Sequence, residues 1–202
     1  MAETSLTGTY SPLVDRLWAV GEQKLLRSIV LAFVGVAALA ISAKIQVPFY
    51  PVPMTMQTLV IPLIGAAYGW RLGVMTVLLY FAHGLLGAPV FAGVSSGPAY
   101  FMGPTGGFLA GFIALVGIVG YGVEKGAARS VLSLTGVILL GKAVLFGLGL
   151  FWLAQFATMA SGAVGIGYSR AFFGAVQPFI LGDLLKTGIA VALIVVFARK
   201  VN

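Results

Sequence analysis

The chain has no cysteine, a single histidine and only five acidic residues among its 202 positions. Without cysteine there are no disulfides, no thiolate catalysis and no cysteine metal ligation. His83 alone cannot make a histidine metal site, so neither a metal nor a cofactor is expected. Charge is scarce throughout, at 8% of residues, against about 25% in an ordinary soluble domain. What charge there is leans basic, with a formal net value of +7. The basic residues stand singly between apolar blocks, not in a stripe with interleaved aromatics, so no nucleic-acid partner is expected.

In place of charge the chain has apolar length. Hydrophobic residues make up 60% of it, and the mean hydropathy is +1.07. This is the composition of an all-α, multi-pass membrane protein, whose first partner is membrane lipid. Residues 1–24 are polar with scattered apolar positions. Leu13, Val14, Leu17 and Trp18 fall on one helical face, with Asp15, Arg16 and Glu22 elsewhere, which predicts a cytoplasmic or interfacial segment leading into the membrane. The apolar block that follows is too long for a secretory signal core.

Six spans are predicted, at residues 25–45, 56–70, 72–86, 105–123, 131–156 and 172–197, within one domain covering 25–202. The loop 46–55 carries prolines at 48, 51 and 53 and must be stiff and extended. The second span covers only about 22 Å of a core near 30 Å. Part of this first loop is therefore expected to dip into the protein. Arg71 marks a tight turn to the third span. The connection 87–104 is long, uncharged and rich in Gly, Ser and Pro, and 158–169 is Gly-rich. With an even number of spans both ends share a side. That side holds Arg16, Lys24, Arg27, Arg71, Lys125, Arg129, Arg199 and Lys200, and the other only Lys44 and Arg170. The asymmetry predicts cytoplasmic termini and an outer face carrying the three elaborate loops.

Asp183 and Lys186 lie inside the last apolar block, three residues apart and near its outer end. An ionisable group at membrane depth costs roughly 2.5–3.5 kcal/mol on insertion scales, so it is read first as a site. The bland alternative is a mutual pair, or a pair between Asp183 and Lys142 on the fifth span, that only glues helices. Pro178 and Gly182 flank the pair and can loosen its first helical turn. Thr55, Gln57 and Thr58 cluster where the first loop meets the short second span, either as helix caps or as ligand donors. In GPTGGF, residues 103–108, Thr105 is a candidate N-cap at the start of the fourth span. Tyr80, Phe91, Tyr100 and Trp152 could wall a pocket, or be core or interfacial aromatics. His83 reads as a packing residue. Ala38 with Ser42, and Gly107 with Gly111, form small-xxx-small pairs for close helix approach, either internal or partner-facing.

The runs VPMTMQTL (52–59), GLLGAPVFAG (84–93), GPTGGF (103–108) and PFILGDLLK (178–186) occur in the order and spacing of one membrane family. The chain resembles the biotin-specific substrate-binding component, or S component, of energy-coupling-factor (ECF) transporters, the BioY family. The likeness runs from Leu25 to the C-terminus. It implies a six-helix S-component bundle in the bacterial cytoplasmic membrane, which captures biotin from outside and has no catalytic activity. It also implies possible partners, a membrane coupling protein and ATPase subunits, and makes Ala38 and Ser42 candidates for the docking face. Where that family usually has Pro-Gly-Asp, this chain has Leu181–Gly182–Asp183, which keeps the acid and removes the proline directly before its glycine.

Biotin's chemistry suits the residues. Asp183 can accept from ureido N–H groups, and Lys186 can offset the charge of Asp183 or of the valerate carboxylate. Thr55, Gln57, Ser95 and Ser96 can complete polar contacts, while Phe91, Tyr100 and Trp152 cover the rings. Which group reads which end stays open. The alternatives are an S component for another vitamin such as thiamin or riboflavin, and a proton-coupled carrier in which Asp183 titrates. An intramembrane enzyme using Asp183 would need a second catalytic group at the same depth, for which only Lys142 and Lys186 are available, and there is no nucleophile elbow, metal cluster or carboxylate dyad.

Overall fold

The structure, a computed structural model, describes residues 24–200; the interfacial segment predicted at 1–24 falls almost wholly outside the described residues. The first helix, α1 (Lys24–Lys44), runs into a small antiparallel hairpin of β1 (Gln46–Val47) and β2 (Met54–Thr55). Gln46 faces Thr55 and Val47 faces Met54. Then come α2 (Gln57–Leu85), a short α3 (Pro98–Met102), α4 (Gly106–Glu124) and α5 (Val131–Gln155). The chain closes with α6 (Tyr168–Ala175), a 3-10 turn at Gln177–Phe179, and α7 (Ile180–Lys200). Among the described residues, five helical stretches are long and apolar enough to cross a membrane, α6 to α7 counting as one of them.

The 29 residues of α2 are interrupted at Gly69, with φ 75 and ψ 175. Gln57 Nε2 donates to Tyr80 Oη at 2.9 Å across 23 residues. A straight helix would hold those residues about 34 Å apart, at ~1.5 Å per residue. The limbs 57–68 and 70–85 therefore run antiparallel. The reversal expected at Arg71 falls two residues earlier, because only glycine takes this positive φ without steric cost. The Trp70 amide that starts the second limb donates to Glu124 Oε1 at 3.1 Å.

α4 packs between α2 and α5, while α7 touches both α2 and α5 and closes the ring; α1 leans on α2. The outside is apolar, with Phe33, Val34, Ile41, Leu132, Leu140, Leu181 and Leu185 exposed. The inside holds Gln57, Thr76, Lys142, Asp183, Lys186 and Thr187 among its buried residues. This inside-out polarity suits a lipid surround, where ionisable groups face the bundle interior.

Gly35, Ser42 and Ala43 of α1 turn inward, while Ala37 is exposed. Ser42 is 4% exposed, and its hydroxyl donates to the Leu39 carbonyl at 2.9 Å. A Cβ on Gly35 would sit 2.5 Å from Thr76 Cγ2. Ser42 is thus corrected from a partner-facing to an internal position, and Ala38 is half-buried. The reason is the close approach of α1 to both limbs of α2, which needs small side chains on that face.

The same logic governs α4 against α5. A Cβ on Gly107 would lie 2.5 Å from the Leu148 carbonyl oxygen and 2.3 Å from Trp152 Cβ. Overpacking of this kind costs typically 1–3 kcal/mol. Gly107→Val is therefore expected to lower the unfolding midpoint of the purified protein by several degrees, read by differential scanning fluorimetry.

The proline-bearing loop is the β1–β2 hairpin, and it does sink inward. Val52 is 3% exposed, and the Phe49 ring lies 5.8 Å from that of Phe179. The part that sinks is the second arm, 51–55, while β1 and the tip stay exposed, Tyr50 at 78%.

Candidate functional site

Asp183 sits in the first turn of α7, where the partial positive charge of a helix N-terminus favours a carboxylate. The preceding 3-10 turn, with Pro178 inside it, sets α7 off from α6. The break thus lies at Pro178, one of the two residues read as loosening this turn, and Leu181 is 82% exposed on the outside.

The carboxylate is held from two sides. Lys142 Nζ, from the inward face of α5, is 2.8 Å from Asp183 Oδ2. It also donates to the Asp183 carbonyl at 3.1 Å and to Thr187 Oγ1 at 2.8 Å. Thr187 in turn donates to that carbonyl at 2.8 Å. Lys186 Nζ lies 3.4 Å from Asp183 Oδ1 and donates to the Thr55 carbonyl at 3.0 Å and Thr58 Oγ1 at 2.7 Å. All three ionisable residues are at most 5% exposed. Asp183 Oδ1 is fully buried and accepts no hydrogen bond. Such an oxygen calls for an explanation, since buried polar atoms are normally satisfied.

Asp183 borders a cavity. About 40 Å³ of space opens between the hairpin residues Pro53, Met54 and Thr55 and the start of α7. Thr58, Asp183 and Lys186 supply its polar edge, while Phe108, Leu145, Phe146 and Phe179 supply apolar walls. At roughly 10–15 Å³ per site this space admits a few water molecules. A larger groove, about 630 Å³, runs between α5 and α7 past Thr135, Leu139, Gly188 and Val195. It is open and nearly all apolar, and it lacks the convergent polar groups that fix a ligand's orientation. The small cavity beside the charges is the better candidate.

The predicted site residues divide into two groups. Thr55, Asp183 and Lys186 meet at the cavity. Gln57 is one step away: its amide N–H donates to Thr55 Oγ1 at 3.3 Å, and its side chain reaches Tyr80. The rest do not line the cavity; they hold the loop between α2 and α4 together. Phe91, 1% exposed, stacks on Tyr100 at 4.5 Å and 5°. Burial raises the Tyr100 phenol above its usual pKa. Ser95 accepts the Phe91 amide through its carbonyl at 3.4 Å, and Ser96 is half-buried nearby in sequence. Thr105 occupies the N-cap position of α4, but its side chain makes no cap bond; it donates to the Tyr100 carbonyl at 3.3 Å. Trp152 Nε1 donates to the Gly103 carbonyl at 2.9 Å. His83 is a packing residue, its Nδ1 2.8 Å from the Leu79 carbonyl and its ring edge-on to Phe33.

Sequence reasoning missed the cavity's apolar walls and the weight of Lys142. The signal for Lys142 was present: a lone cation in the middle of the apolar run 131–156, on the face marked by Gly141 and Gly149.

A sequence model described as "BioY family" matches residues 13–202. The chain belongs to the BioY family. Among its relatives, a "Probable biotin transporter BioY" of Pyrococcus horikoshii is 38% identical over 77% of this chain and 86% of that protein. The "Biotin transporter BioY" of Thermotoga maritima is 31% identical over 88% of this chain and 98% of that protein. The fold matches a crystal structure of the S component for biotin from an ECF-type ABC transporter, with a TM-score of 0.76 and 23% identity. The match covers 90% of this chain and 95% of that one. The architecture of these helices is thus that of an S component, and the family is one of transporters, not enzymes.

Proposed function

We propose that this protein captures biotin and passes it into the cell as the substrate-binding component of a transporter. The observation that carries the reading is the buried Asp183 carboxylate beside the cavity under the proline-bearing hairpin, whose Oδ1 meets Lys186 Nζ only at 3.4 Å and accepts no hydrogen bond. It is an acceptor in want of an N–H donor, and a ureido N–H is such a donor. Lys142 and Lys186 hold the carboxylate, and Thr55 and Thr58 provide the neighbouring oxygens. Phe108, Phe146 and Phe179 suit an apolar ring system. The cavity is too small for a bicyclic ligand, so binding must push the hairpin and α7 apart. Phe91, Ser95, Ser96, Tyr100, Thr105 and Trp152 then act through the covering loop.

Counting the limbs of α2 separately gives six crossings with both termini in the cytoplasm. The antiparallel Gln57–Tyr80 contact supports that count. Arg71, Lys125 and Arg129 then face inward, and Lys44 and Arg170 outward. The membrane is the bacterial cytoplasmic membrane. A coupling protein with ATPase subunits would dock on the exposed ridge of α1, formed by Leu26, Val30, Phe33 and Ile41 with Ala38 at its margin.

The test is calorimetric titration of the purified chain with biotin, thiamin and riboflavin. Biotin should bind at least 1,000-fold more tightly than either competitor, a difference of about 4 kcal/mol. Equal or tighter thiamin or riboflavin binding would reassign the vitamin, and silence with all three would remove the capture function.

A further inference from the structure

Lys44 is the last residue of α1, and its ammonium reaches across to the loop between α2 and α4. Nζ donates to the carbonyls of Pro89 at 2.5 Å, Phe91 at 2.7 Å and Gly93 at 2.6 Å. These are alternate residues of one short segment, so their carbonyls fall on one side of it. An ammonium has three donors and no acceptor; here all three are spent on that segment. The position at a helix C-terminus also favours the cation.

The segment so held is tied to the candidate site. Its Val90 carbonyl accepts from Tyr80 Oη at 3.0 Å, Tyr80 is bonded by Gln57, Gln57 adjoins Thr55, and Thr55 accepts from Lys186. Phe91 anchors the segment in the core, its ring against Tyr80, Tyr100 and Phe101. The far end of the loop is fixed separately, by Trp152 to Gly103 and by the Thr158 amide to the Met102 carbonyl at 2.9 Å. On the near end, Lys44 supplies three side-chain bonds beside the single one from Tyr80.

We infer that Lys44 is the latch of this loop, a positioning residue whose ammonium keeps residues 89–93 closed over the outer approach to the site and so sets how fast ligand exchanges. The lid role rests on the biotin reading; the clamp on the loop does not. A planar guanidinium cannot aim three N–H groups at carbonyls converging on one point, so the latch is specific to an ammonium.

The chain's lack of cysteine makes a clean test possible. Lys44→Cys is purified, then alkylated either with 2-bromoethylamine, which restores a primary ammonium at nearly the lysine length, or with bromoethane, which does not. Both products come from the same folded preparation, so a folding failure cannot mimic the result. Amide hydrogen exchange of residues 87–97 is read without ligand, and biotin association and dissociation rates are read by stopped flow. The ethyl product and Lys44→Arg should exchange at least tenfold faster in that segment than the natural protein. They should release biotin at least tenfold faster, with no slower association. The aminoethyl product should return both to within threefold. Unchanged exchange in the ethyl product overturns the latch. Faster exchange with unchanged biotin rates overturns the lid. If the natural protein binds no biotin at all, the capture reading fails while the exchange arm still judges the clamp.

Discussion

Asp183→Asn is expected to abolish biotin binding, with a loss of at least 1,000-fold that calorimetry on the purified protein will show. Two effects combine. The amide presents one oxygen where the carboxylate presented two, so it cannot serve both Lys142 and a ligand donor. It also leaves Lys142 and Lys186 buried without an anion. Breaking a buried ion pair by removing one partner costs about 3–5 kcal/mol, so the unfolding midpoint should fall as well. The double variant Lys142→Met with Asp183→Asn separates the two. It holds one buried cation and no anion, the same surplus as the natural cluster of two cations and one anion. Its stability should recover most of the loss while binding stays absent. Recovered binding in the double variant would show that Asp183 serves only to balance Lys142, and the site would have to be sought elsewhere.

Lys186→Met should be the cleaner lesion. The Lys142–Asp183 pair remains and the cluster becomes neutral, so the fold should hold. What is lost is the strut from α7 to the hairpin, made through the Thr55 carbonyl and Thr58 Oγ1. Biotin affinity is expected to fall about 100-fold, or ~3 kcal/mol. Amide exchange in residues 46–56 should quicken at the same time. An affinity within threefold of the natural protein's would exclude Lys186 from the site.

Much of this arrangement was legible in the residues. Lone ionisable side chains inside apolar runs are costly, so Asp183 and Lys186 announced themselves, and Lys142 appeared at least as a partner. The sunken hairpin followed from three prolines next to a short span. Other features were not legible because they depend on where faces point. A small residue on α1 reads the same whether it lets in a neighbouring helix of its own chain or another protein; the packing of Gly35 on Thr76 settled that for Ser42. The reversal between the second and third spans was expected at Arg71, but its place at Gly69 was not, since Gly is common in membrane helices and only the backbone angles distinguish this one. The aromatics of the α2–α4 loop were assigned to the pocket because of their chemistry. They stack on each other instead, and Trp152 and Thr105 spend their polar atoms bracing that loop. The threefold grip of Lys44 was invisible, because nothing in a linear sequence says that alternate carbonyls of a distant loop converge on one ammonium.

The brevity of the limb 57–68 has a further meaning for transport. At ~1.5 Å per residue it spans about 18 Å of a hydrocarbon layer near 30 Å thick. The hairpin fills the difference, and Asp183 lies beneath it. A molecule held there would already have passed the hairpin's share of the barrier, with no more movement than the parting of the hairpin from α7. The motion left is then the remaining ~18 Å of the limb's length, not the full thickness.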